Sequence, residues 1–342
     1  MMTKKTTYKE LAKKLGVSGT TVSLVLNNKA DKYGIKKETQ EKVLFLARKM
    51  GFFDDEVLTK PLPVEEKPGV IGMIVPALNN AFIMGITPFL QQAFLEIGFG
   101  FSIICKDIDD AIYERMIEAF KKFYSGLILV SDAADDISIR ALKNTGYPFI
   151  VLEKTLKSPR INTVDTDRGY GIKLLKKHIE SLGYKNILIV SMIGGDNREL
   201  SYMVSTLMES ETINRPAVVE LEKLSADNEK EINKIETYLR PPYSVELIIT
   251  MGAEAVYPIF SLLGGMKVRI PNDVALISMN DGVGFDIISP PVTALRQPYR
   301  AMATEATDIL WTEIKNSGKS KYKRQVTLSP ELVVRSSCGS FK

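Results

Sequence analysis

Residues 7–26 read TYKELAKKLGVSGTTVSLVL, and this stretch decides the fold of the first part of the chain. Thr7 and Glu10 form a capping box, in which each side chain can bond the backbone amide of the other, so a helix begins here. Gly16 ends that helix, and Ser18 is a good N-cap for a second helix that reaches the end of the stretch. Two short helices joined by a tight turn that contains glycine predict a helix-turn-helix.

A third helix is predicted from about Lys37 to Met50, and Gly51 ends it. The apolar residues of all three helices recur at helical spacing, so one face of each helix turns toward a shared core. The residues predicted to face this core are Leu11, Leu15, Val22, Val25, Leu26, Val43, Leu44 and Ala47.

The positive charge of the chain is concentrated in the same region. The 342 residues hold 45 Lys and Arg against 41 Asp and Glu, a net charge of +4. Residues 1–50 alone hold 12 basic and four acidic residues, so this head is at +8 and the remainder at −4. A basic head on an acidic body favours binding to nucleic acid, where the second helix of the motif would enter the major groove. A lysine-rich surface that contacts only water would give the same count.

Length and composition describe a globular protein of two or three domains. Hydrophobic residues make up 45% of the chain and charged residues 25%, both ordinary for folded proteins. The longest apolar stretch, near Val70–Leu78, is too short to span a bilayer, and no apolar segment of a secretion signal follows the basic N-terminus. We therefore expect a cytoplasmic protein without a membrane partner.

The residue patterns of common enzymes and metal proteins are absent from the sequence. His178 is the single histidine, and the two cysteines, Cys105 and Cys338, are far apart and form no metal-spaced set. There is no GxxxxGK[ST] phosphate loop, no GxGxxG and no GxSxG motif. We expect no cofactor, no metal and no catalytic residue.

Beyond a linker that contains Pro61, Pro63 and Pro68, short apolar runs alternate with amphipathic helical stretches. This alternation predicts parallel sheets with helices on both faces, and the length of the segment suggests two doubly wound lobes. One helix is predicted from about 168 to 182, and the helix around Trp311 is expected to pack on the first lobe. Ligands of such folds bind at the carboxyl ends of strands, here between the lobes. The runs predicted as strands are 70–75, 101–105, 127–130, 149–152, 187–190, 247–249 and 274–277.

Segments along nearly the whole chain match one known family in the right order. In the head they are 7–12 (TYKELA), 16–27 (GVSGTTVSLVLN), 38–39 and 41–43. In the body they are 71–76 (IGMIVP), 80–82, 164–165, Gly169, 182–184, 198–202 (RELSY), 290–298 (PPVTALRQP) and 329–335 (SPELVVR). With these segments the chain resembles the lactose-repressor (LacI/GalR) family. The resemblance implies a homodimeric transcription regulator with an effector core similar to periplasmic binding proteins of type I.

The resemblance also implies the domain organisation. A helix-turn-helix DNA-binding domain with its hinge is expected at 1–60, a linker at 61–68, and a bilobed effector-binding and dimerisation core at 69–342. Lobe 1 is expected at about 69–162 and 293–328, and lobe 2 at about 163–292 and 329–342. The predicted fold class is α/β, an all-α helix-turn-helix head plus two doubly wound parallel α/β lobes.

By the same resemblance, four residues of the second helix take the positions that face base edges: Gly19, Thr20, Ser23 and Leu24. Hydroxyl groups can bond several base edges, and the threonine methyl can contact a thymine methyl. Leu24 stands where the family often has Arg or His, so it either gives a less polar readout or only packs. The other predicted DNA-binding residues, phosphate contacts among them, are Thr7, Tyr8, Ser18, Thr21, Asn27, Lys29 and Lys32.

The hinge departs from the family pattern. The family usually has a Tyr-x-Pro-Asn-x-x-Ala-Arg-x-Leu segment that forms a small helix on DNA and inserts leucines into the minor groove. Residues 52–61 of this chain read FFDDEVLTKP, with three acidic residues and with Pro61 at the wedge position. This departure puts hinge-mediated kinking in doubt, together with the usual coupling of effector to DNA.

The effector cleft departs as well. The residues that the resemblance places in it are Asn80, Phe82, Glu153, Arg198, Tyr202, Asn280 and Asp281. Arg198 matches an arginine that clamps ligand oxygens, and Glu153 takes a position where sugar-binding members often carry Asp. Met251-Gly252 replaces the usual Asn-Asp, which removes two polar groups. A sugar, a nucleoside, another small metabolite and no ligand at all remain open.

The sequence therefore predicts a sequence-specific DNA-binding regulator, most often a repressor, that reads a near-palindromic double-stranded operator as a dimer. Closure of a bilobed core around a small molecule, a sugar or a related metabolite, would set its affinity for DNA. The alternative is a small-molecule receptor whose head no longer binds specific DNA, and the altered hinge motivates it. A sugar-processing enzyme is a third and weaker option.

Overall fold

The computed structural model describes residues 8–26, 30, 33–36, 39–40, 42–43, 46–47, 69–78, 80–106, 110–154, 156, 160–192, 197–221, 229–320 and 322–340. The chain divides into two units, residues 1–67 and residues 68–342, and each is described by itself. No helix within the described ranges is long and apolar enough to cross a lipid bilayer.

The N-terminal unit contains the two helices of the predicted helix-turn-helix, and the described residues 39–40, 42–43 and 46–47 of the predicted third helix are helical as well. Helix α1 covers Tyr8–Leu15 and helix α2 covers Gly19–Leu26. Gly16, in the turn between them, has a φ of +65°, a conformation that glycine adopts without strain. The Ser18 hydroxyl accepts a hydrogen bond from the backbone amide of Thr21 at 3.0 Å and caps α2. The helix-turn-helix geometry follows from this cap and this turn.

The core of the N-terminal unit follows the predicted pattern. Its buried members include Leu11, Val22, Val25, Val43 and Ala47, with Leu15 and Leu26 partly buried against them. Several of the predicted residues and segments lie outside the described residues: Thr7, Asn27, Lys29, Lys32, Leu44, the hinge at 52–61 and the linker at 61–68.

The C-terminal unit contains twelve strands within the described residues. They are β1 (Val70–Val75), β2 (Gly100–Cys105), β3 (Gly126–Val130), β4 (Phe149–Leu152), β5 (Thr163–Thr166), β6 (Ile187–Met192), β7 (Ala217–Leu221), β8 (Leu247–Thr250), β9 (Ala275–Ser278), β10 (Thr293–Arg296), β11 (Gln325–Leu328) and β12 (Glu331–Val333). Each of the seven apolar runs predicted as a strand is one of these strands.

The strands form two six-stranded sheets. The order in the first sheet is β11-β5-β4-β3-β1-β2, and all its pairs are parallel. The order in the second is β12-β10-β9-β8-β6-β7, where only the pair of β12 with β10 is antiparallel. Parallel strands need crossover connections, and here helices supply most of them, whereas β9 and β10 are joined by a segment of turns. We call the first sheet with its helices lobe 1 and the second lobe 2.

Helices cover both faces of each sheet. Eight are described in this unit: α3 (Ala81–Glu96), α4 (Asp110–Phe123), α5 (Asp136–Asn144), α6 (Arg168–Leu182), α7 (Asn197–Met208), α8 (Glu229–Leu239), α9 (Val256–Gly265) and α10 (Tyr299–Lys315). In lobe 1, α3 and α10 pack on one face, and α4 and α5 pack on the other. In lobe 2, α8 and α9 pack on one face, and α6 and α7 pack on the other. The predicted α/β fold class is confirmed.

Two of the predicted lobe boundaries need correction by one strand each. Residues from 163 onward are predicted for lobe 2, but β5 pairs with β4 and β11 in the first sheet. Residues from 293 onward are predicted for lobe 1, but β10 pairs with β9 in the second sheet. In both places the chain completes a strand in one sheet before it crosses to the other lobe. The backbone groups of that strand form their hydrogen bonds within the first sheet.

The long helix α10 packs on lobe 1, as predicted from the apolar residues around Trp311. The Trp311 ring contacts Phe99 edge-on, with ring centroids 5.4 Å apart. At the other end of the helix, the Tyr299 ring lies against Gly85 of α3, where a Cβ atom would clash with the ring. Glycine at this position therefore lets the two helices approach closely.

A buried ionic cluster anchors the end of α10. The Glu313 carboxylate is 4% exposed and accepts hydrogen bonds from Asn162 Nδ2 at 2.9 Å and from Lys323 Nζ at 2.7 Å. The side-chain oxygen Oδ1 of Asn162 in turn accepts from the backbone amide of Arg324 at 2.8 Å. The cluster thus ties the helix to the segments around β5 and β11.

We predict that Glu313→Ala lowers the free energy of unfolding of the C-terminal unit by ~2–4 kcal/mol, because it strands a buried amide and a lysine. Asp308→Ala is the matched control: its carboxylate pairs with Arg324 on the surface and is 63% exposed, so at most ~1 kcal/mol should be lost. Chemical unfolding of both variants measures the difference. Equal losses would mean that the cluster adds nothing beyond a surface ion pair.

Candidate functional site

Helix α2 presents a polar face opposite its buried valines. Gly19 and Thr20 are exposed, and Ser23 and Leu24, one turn further on, are half-buried. These are the four positions predicted to face base edges, and the helical repeat brings them to one side. The structure thus brings the predicted base-reading residues together on one surface of the head.

The residues predicted to contact phosphates begin at the N-terminus of this helix. The hydroxyls of Ser18 and Thr21 lie 2.8 Å apart, and the first of them caps the helix. Backbone N–H groups at a helix N-terminus attract phosphate oxygens, so the cap and a phosphate contact are compatible. Tyr8, at the start of α1, is 42% exposed.

In the C-terminal unit, a cavity of about 230 Å³ lies between the two lobes, and we call it the interlobe cavity. Pro76 and Ser131 line it from lobe 1, each directly after a strand. Met192, Met251 and Asn280 line it from lobe 2, at or just after the last residue of a strand. The cavity therefore lies at the carboxyl ends of both parallel sheets, where doubly wound folds bind ligands.

Two of the predicted effector residues lie at the start of α3 and line this cavity. Asn80 caps the helix, and its side-chain oxygen accepts from the amides of Phe82 at 2.9 Å and Ile83 at 3.3 Å. The Phe82 ring lies 5.7 Å from the Tyr299 ring at 60°, so it belongs to the core and to the cavity wall at once.

A buried ionic network separates the interlobe cavity from a second hollow. Arg168, the first residue of α6, pairs with Glu153 and, at 3.1 Å, with Asp165, both from lobe 1. Its Nε also lies 3.7 Å from a carboxylate oxygen of Glu199 in α7 of lobe 2. The Thr166 hydroxyl donates to the second oxygen of Glu153 at 2.9 Å. One guanidinium thus connects carboxylates of both lobes.

Burial raises the pKa of Glu153 to about 7, although the guanidinium of Arg168 opposes the shift. The neighbouring carboxylate of Asp165 adds to the rise, because two negative charges this close repel each other. The pKa of Arg168 is raised: burial lowers it, but the three carboxylates outweigh that effect. The network therefore holds a permanent cation and a carboxyl that titrates near neutral pH.

A chain of amides closes another wall of the interlobe cavity. Gln297 Nε2 donates to Asn280 Oδ1 at 3.1 Å, and Asn280 Nδ2 donates to the Met251 carbonyl at 3.2 Å. The Gln297 side-chain oxygen is buried and has no hydrogen-bond partner among the residues that the structure describes. An unsatisfied buried acceptor is costly, so this wall is suited to a ligand that donates a hydrogen bond.

Arg198 and Tyr202, on α7, are predicted effector residues that lie elsewhere. They line the second hollow, which has a volume of about 1,000 Å³. Both are exposed. The two spaces share Glu153 and Arg168 in their walls. The predicted clamp by Arg198 would therefore act from the second hollow and not from the interlobe cavity of this conformation.

Asp281, the last predicted effector residue, does not line either space. Its carboxylate accepts two hydrogen bonds from Arg335, at 2.9 and 3.0 Å, and one from Arg296 Nε at 2.9 Å. Arg296 lies in β10, and Arg335 lies in the segment after β12. Their contacts with Asp281 therefore hold the C-terminal segment to the second sheet. The physical reason for the difference is that these two arginines already satisfy the carboxylate.

Among the residues that line the interlobe cavity and that sequence reasoning missed, four are charged or carry an amide: Arg168, Glu199, Glu254 and Gln297. For two of these residues the sequence contains a local feature that could have identified them. Arg168 ends a charged run, DTDR, that directly follows an apolar strand position, and Glu199 is the neighbour of the predicted clamp. The other two lie in a short 3₁₀ turn and in a strand connection, where no local pattern marks them.

Family models match both units of the chain. The model of bacterial regulatory proteins of the lacI family matches residues 7–54, and the model of the periplasmic binding protein-like domain matches residues 177–338. The chain is 25% identical to the HTH-type transcriptional regulator DegA of Bacillus subtilis, over 97% of this chain and 98% of that protein. It is also 25% identical to the HTH-type transcriptional repressor PurR of Haemophilus influenzae, over 98% and 99%.

Solved structures with the same fold include two with a bound sugar. A LacI family transcriptional regulator from Enterococcus faecalis, with bound ribose, has a TM-score of 0.67 and 20% identity, and covers 80% of this chain and 100% of its own. A complex of the transcriptional regulator CelR with cellobiose has a TM-score of 0.65 and 20% identity, and covers 97% and 100%.

A helix-turn-helix head on a two-lobed periplasmic-binding-protein-like core defines a class of DNA-binding transcription regulators. The head matches the lacI family of bacterial regulatory proteins, and the chain resembles transcription regulators with this head along nearly its whole length. The resemblance stated from the sequence is thereby confirmed.

We predict that the stability of the C-terminal unit falls between pH 5 and pH 7.5 through Glu153. Because its pKa in the folded state, about 7, lies above the ordinary value of 4.5, the folded state holds the proton more tightly. This stabilisation is complete below pH 4.5 and is lost as the pH rises through 7, a loss of ~1–3 kcal/mol. Urea unfolding across this range should show that Glu153→Gln removes the slope.

Glu331→Gln is the control for this prediction, because Glu331 is 65% exposed in its pair with Arg296. Its unfolding curve should keep the pH dependence of the natural protein. An unchanged slope in Glu153→Gln would show that Glu153 is ionised throughout this range.

Proposed function

We propose that the protein is a repressor that binds a near-palindromic operator as a homodimer, and that a small molecule in the interlobe cavity sets its affinity for DNA. The observation that carries the proposal is the cavity at the carboxyl ends of both sheets, where one guanidinium holds carboxylates of both lobes. The affinity of such a site for a ligand differs between the open and the closed arrangement of the lobes. A ligand can shift DNA affinity only through this difference.

The effector in this proposal is a sugar or a related small metabolite. Related regulators of known structure hold ribose and cellobiose, and the cavity here offers carboxylates and amides that accept and donate hydrogen bonds. A cavity of about 230 Å³ is smaller than the ~300–1,000 Å³ of sites for drug-sized ligands, so a single ring is the expected size.

A stripe along the outer face of α3 supports the homodimer. Met84, Pro88, Gln91 and Leu95 are exposed and follow each other at intervals of four, three and four residues, which places them on one side of the helix. A further exposed side chain, Ile103, lies on the edge strand β2 of the same lobe. A second copy of the chain is the occupant we propose, because a two-fold dimer matches the symmetry of a near-palindromic site.

The proposal places the protein in the cytoplasm with the chromosome, without catalytic activity and without a cofactor. The principal alternative remains a small-molecule receptor with degenerate DNA binding, which the acidic residues of the 52–61 segment favour. The specific regulator and the receptor predict different results in a DNA-binding experiment.

Selection of fragments from the source genome by the purified full-length protein, at low and near-physiological salt, tests the proposal. A few near-palindromic sites that survive the higher salt would support a specific regulator. Sequence-blind binding that disappears at the higher salt would favour the receptor instead, because phosphate contacts alone are strongly salt-dependent.

We predict that Thr20→Ala weakens binding of the dimer to a selected operator about fivefold to a hundredfold, because each of the two half-sites loses one hydrogen bond worth ~0.5–1.5 kcal/mol. Binding to unrelated DNA should stay the same, since base contacts specify and phosphate contacts position. Thr20→Ser keeps the hydroxyl and should retain the part of the operator affinity that depends on it. Fluorescence anisotropy on specific and random duplexes measures both, and equal losses on the two would exclude a base-reading role.

We predict that a double substitution, Met84→Glu with Leu95→Glu, converts the protein to a monomer, because it places charges at the centre of the proposed interface. Sedimentation analysis measures the mass. Glu substitutions of two exposed residues on other helices, Tyr170 of α6 and Met208 of α7, are the control and should leave a dimer. If the stripe variant sediments as a dimer, the interface lies elsewhere.

A further inference from the structure

The interlobe cavity carries an excess of negative charge. Its walls include the carboxyl groups of Glu153, Glu199 and Glu254 and, among the residues that the structure describes, one cationic side chain, Arg168. The guanidinium is already shared among carboxylates, with contacts to Glu153 and Asp165 from lobe 1 and to Glu199 from lobe 2. The cation that would attract a phosphate or carboxylate ligand is thus already compensated within the protein.

Glu254 is the carboxylate of this set that the network does not use. It lies in the 3₁₀ turn after β8, is exposed, and forms no ion pair with any residue that the structure describes. Its side chain folds back over Gly252, so closely that a Cβ atom at 252 would collide with the carboxylate. Glycine at this position therefore makes room for the carboxylate at the wall of the cavity.

This geometry changes the meaning of the Met251-Gly252 pair. From the sequence, the pair removes two polar groups from the site. In the structure, the space at Gly252 is taken by the charged end of Glu254, so a polar group returns from two residues further along the chain. Where the family pattern has the two polar side chains of Asn-Asp, this site therefore has the single carboxylate of Glu254.

Closure of the lobes around a ligand would remove water from this carboxylate. A charge that loses water without gaining a partner opposes closure, whereas a cationic group on the ligand would compensate it. The orphaned side-chain oxygen of Gln297, buried in the wall of the same cavity, likewise calls for a donor. Methionine side chains at 192 and 251 and the Phe82 ring supply apolar surface for a small ring.

We propose that Glu254, seated over Gly252, is the specificity-determining residue of the effector site and selects a single-ring, hydroxyl-bearing ligand with a protonated amine. The inference rests on the proposed function and names the ligand class for its site. Anionic counterparts of the same ring, such as sugar phosphates, are rejected because the described part of the chain lines the cavity with no uncompensated cation.

Calorimetric titration of the full-length protein with matched sugars tests this inference. The probes are glucosamine, galactosamine and mannosamine, each beside its parent hexose and the hexose 6-phosphate. At least one amino sugar should bind tenfold or more tightly than its parent, and the phosphates should not bind. A parent or a phosphate that binds as tightly as the amine would overturn the inference, and so would the absence of binding by all nine compounds.

Variants identify the residue responsible. Glu254→Gln should bring the ratio of amine to parent affinity close to one while the parent still binds, because the amide keeps the shape and loses the charge. Gly252→Ala should act in the same direction, since its methyl displaces the carboxylate. Glu211→Gln, an exposed glutamate outside the cavity, is the control and should keep the preference. A preference that survives in Glu254→Gln would assign it to another group.

The two proposals fail separately. If a neutral sugar binds best and changes operator affinity, the regulator stands and the amine selection falls. If no specific DNA site is recovered by the genomic selection, the regulator falls whichever sugar binds.

Discussion

The guanidinium of Arg168 is the contact on which the arrangement of the core depends. It begins the first helix of lobe 2 and reaches carboxylates of lobe 1 at Glu153 and Asp165, and a further carboxylate of lobe 2 at Glu199. A buried charge is stable only while its partners stay in place, because removing one of them leaves an uncompensated ion. The relative position of the lobes is therefore tied to an electrostatic network at the point where the chain crosses between them.

The two sheets explain why this network and the cavity are neighbours. Parallel strands deliver all their carboxyl ends to one edge, and the chain leaves that edge in loops that can carry polar groups. Glu153 follows β4, Arg168 follows β5 and Asn280 follows β9. Acidic and amide groups therefore accumulate in one place without any local pattern that would bring them together.

Much of the fold could be predicted from the sequence, since the apolar runs that form the strands are local features of the chain. Seven of the twelve described strands are visible as apolar runs. The other five, β5 (TVDT), β7 (AVVEL), β10 (TALR), β11 (QVTL) and β12 (ELV), are not, because they are short or mixed in polarity. The site could be predicted only in part. Asn80 and Glu153 follow recognisable strands, whereas Asp281 is held by Arg335, 54 residues further along the chain, a contact that no local pattern encodes. Glu254 reaches the cavity only because residue 252 has no side chain, which is a matter of packing and not of spacing.

Helix α3 suggests how an event in the cavity would reach the DNA. Its first turn, with the Asn80 cap and Phe82, lines the cavity, and its outer face carries the stripe from Met84 to Leu95 that we assign to the dimer. A helix of 16 residues is a stiff body, so a small displacement of its N-terminus by a ligand also moves the stripe. Lobe 1, which contains this helix, directly follows the head in the chain. In the proposed homodimer, an effector at the first turn of α3 would therefore act on the contact between the two copies.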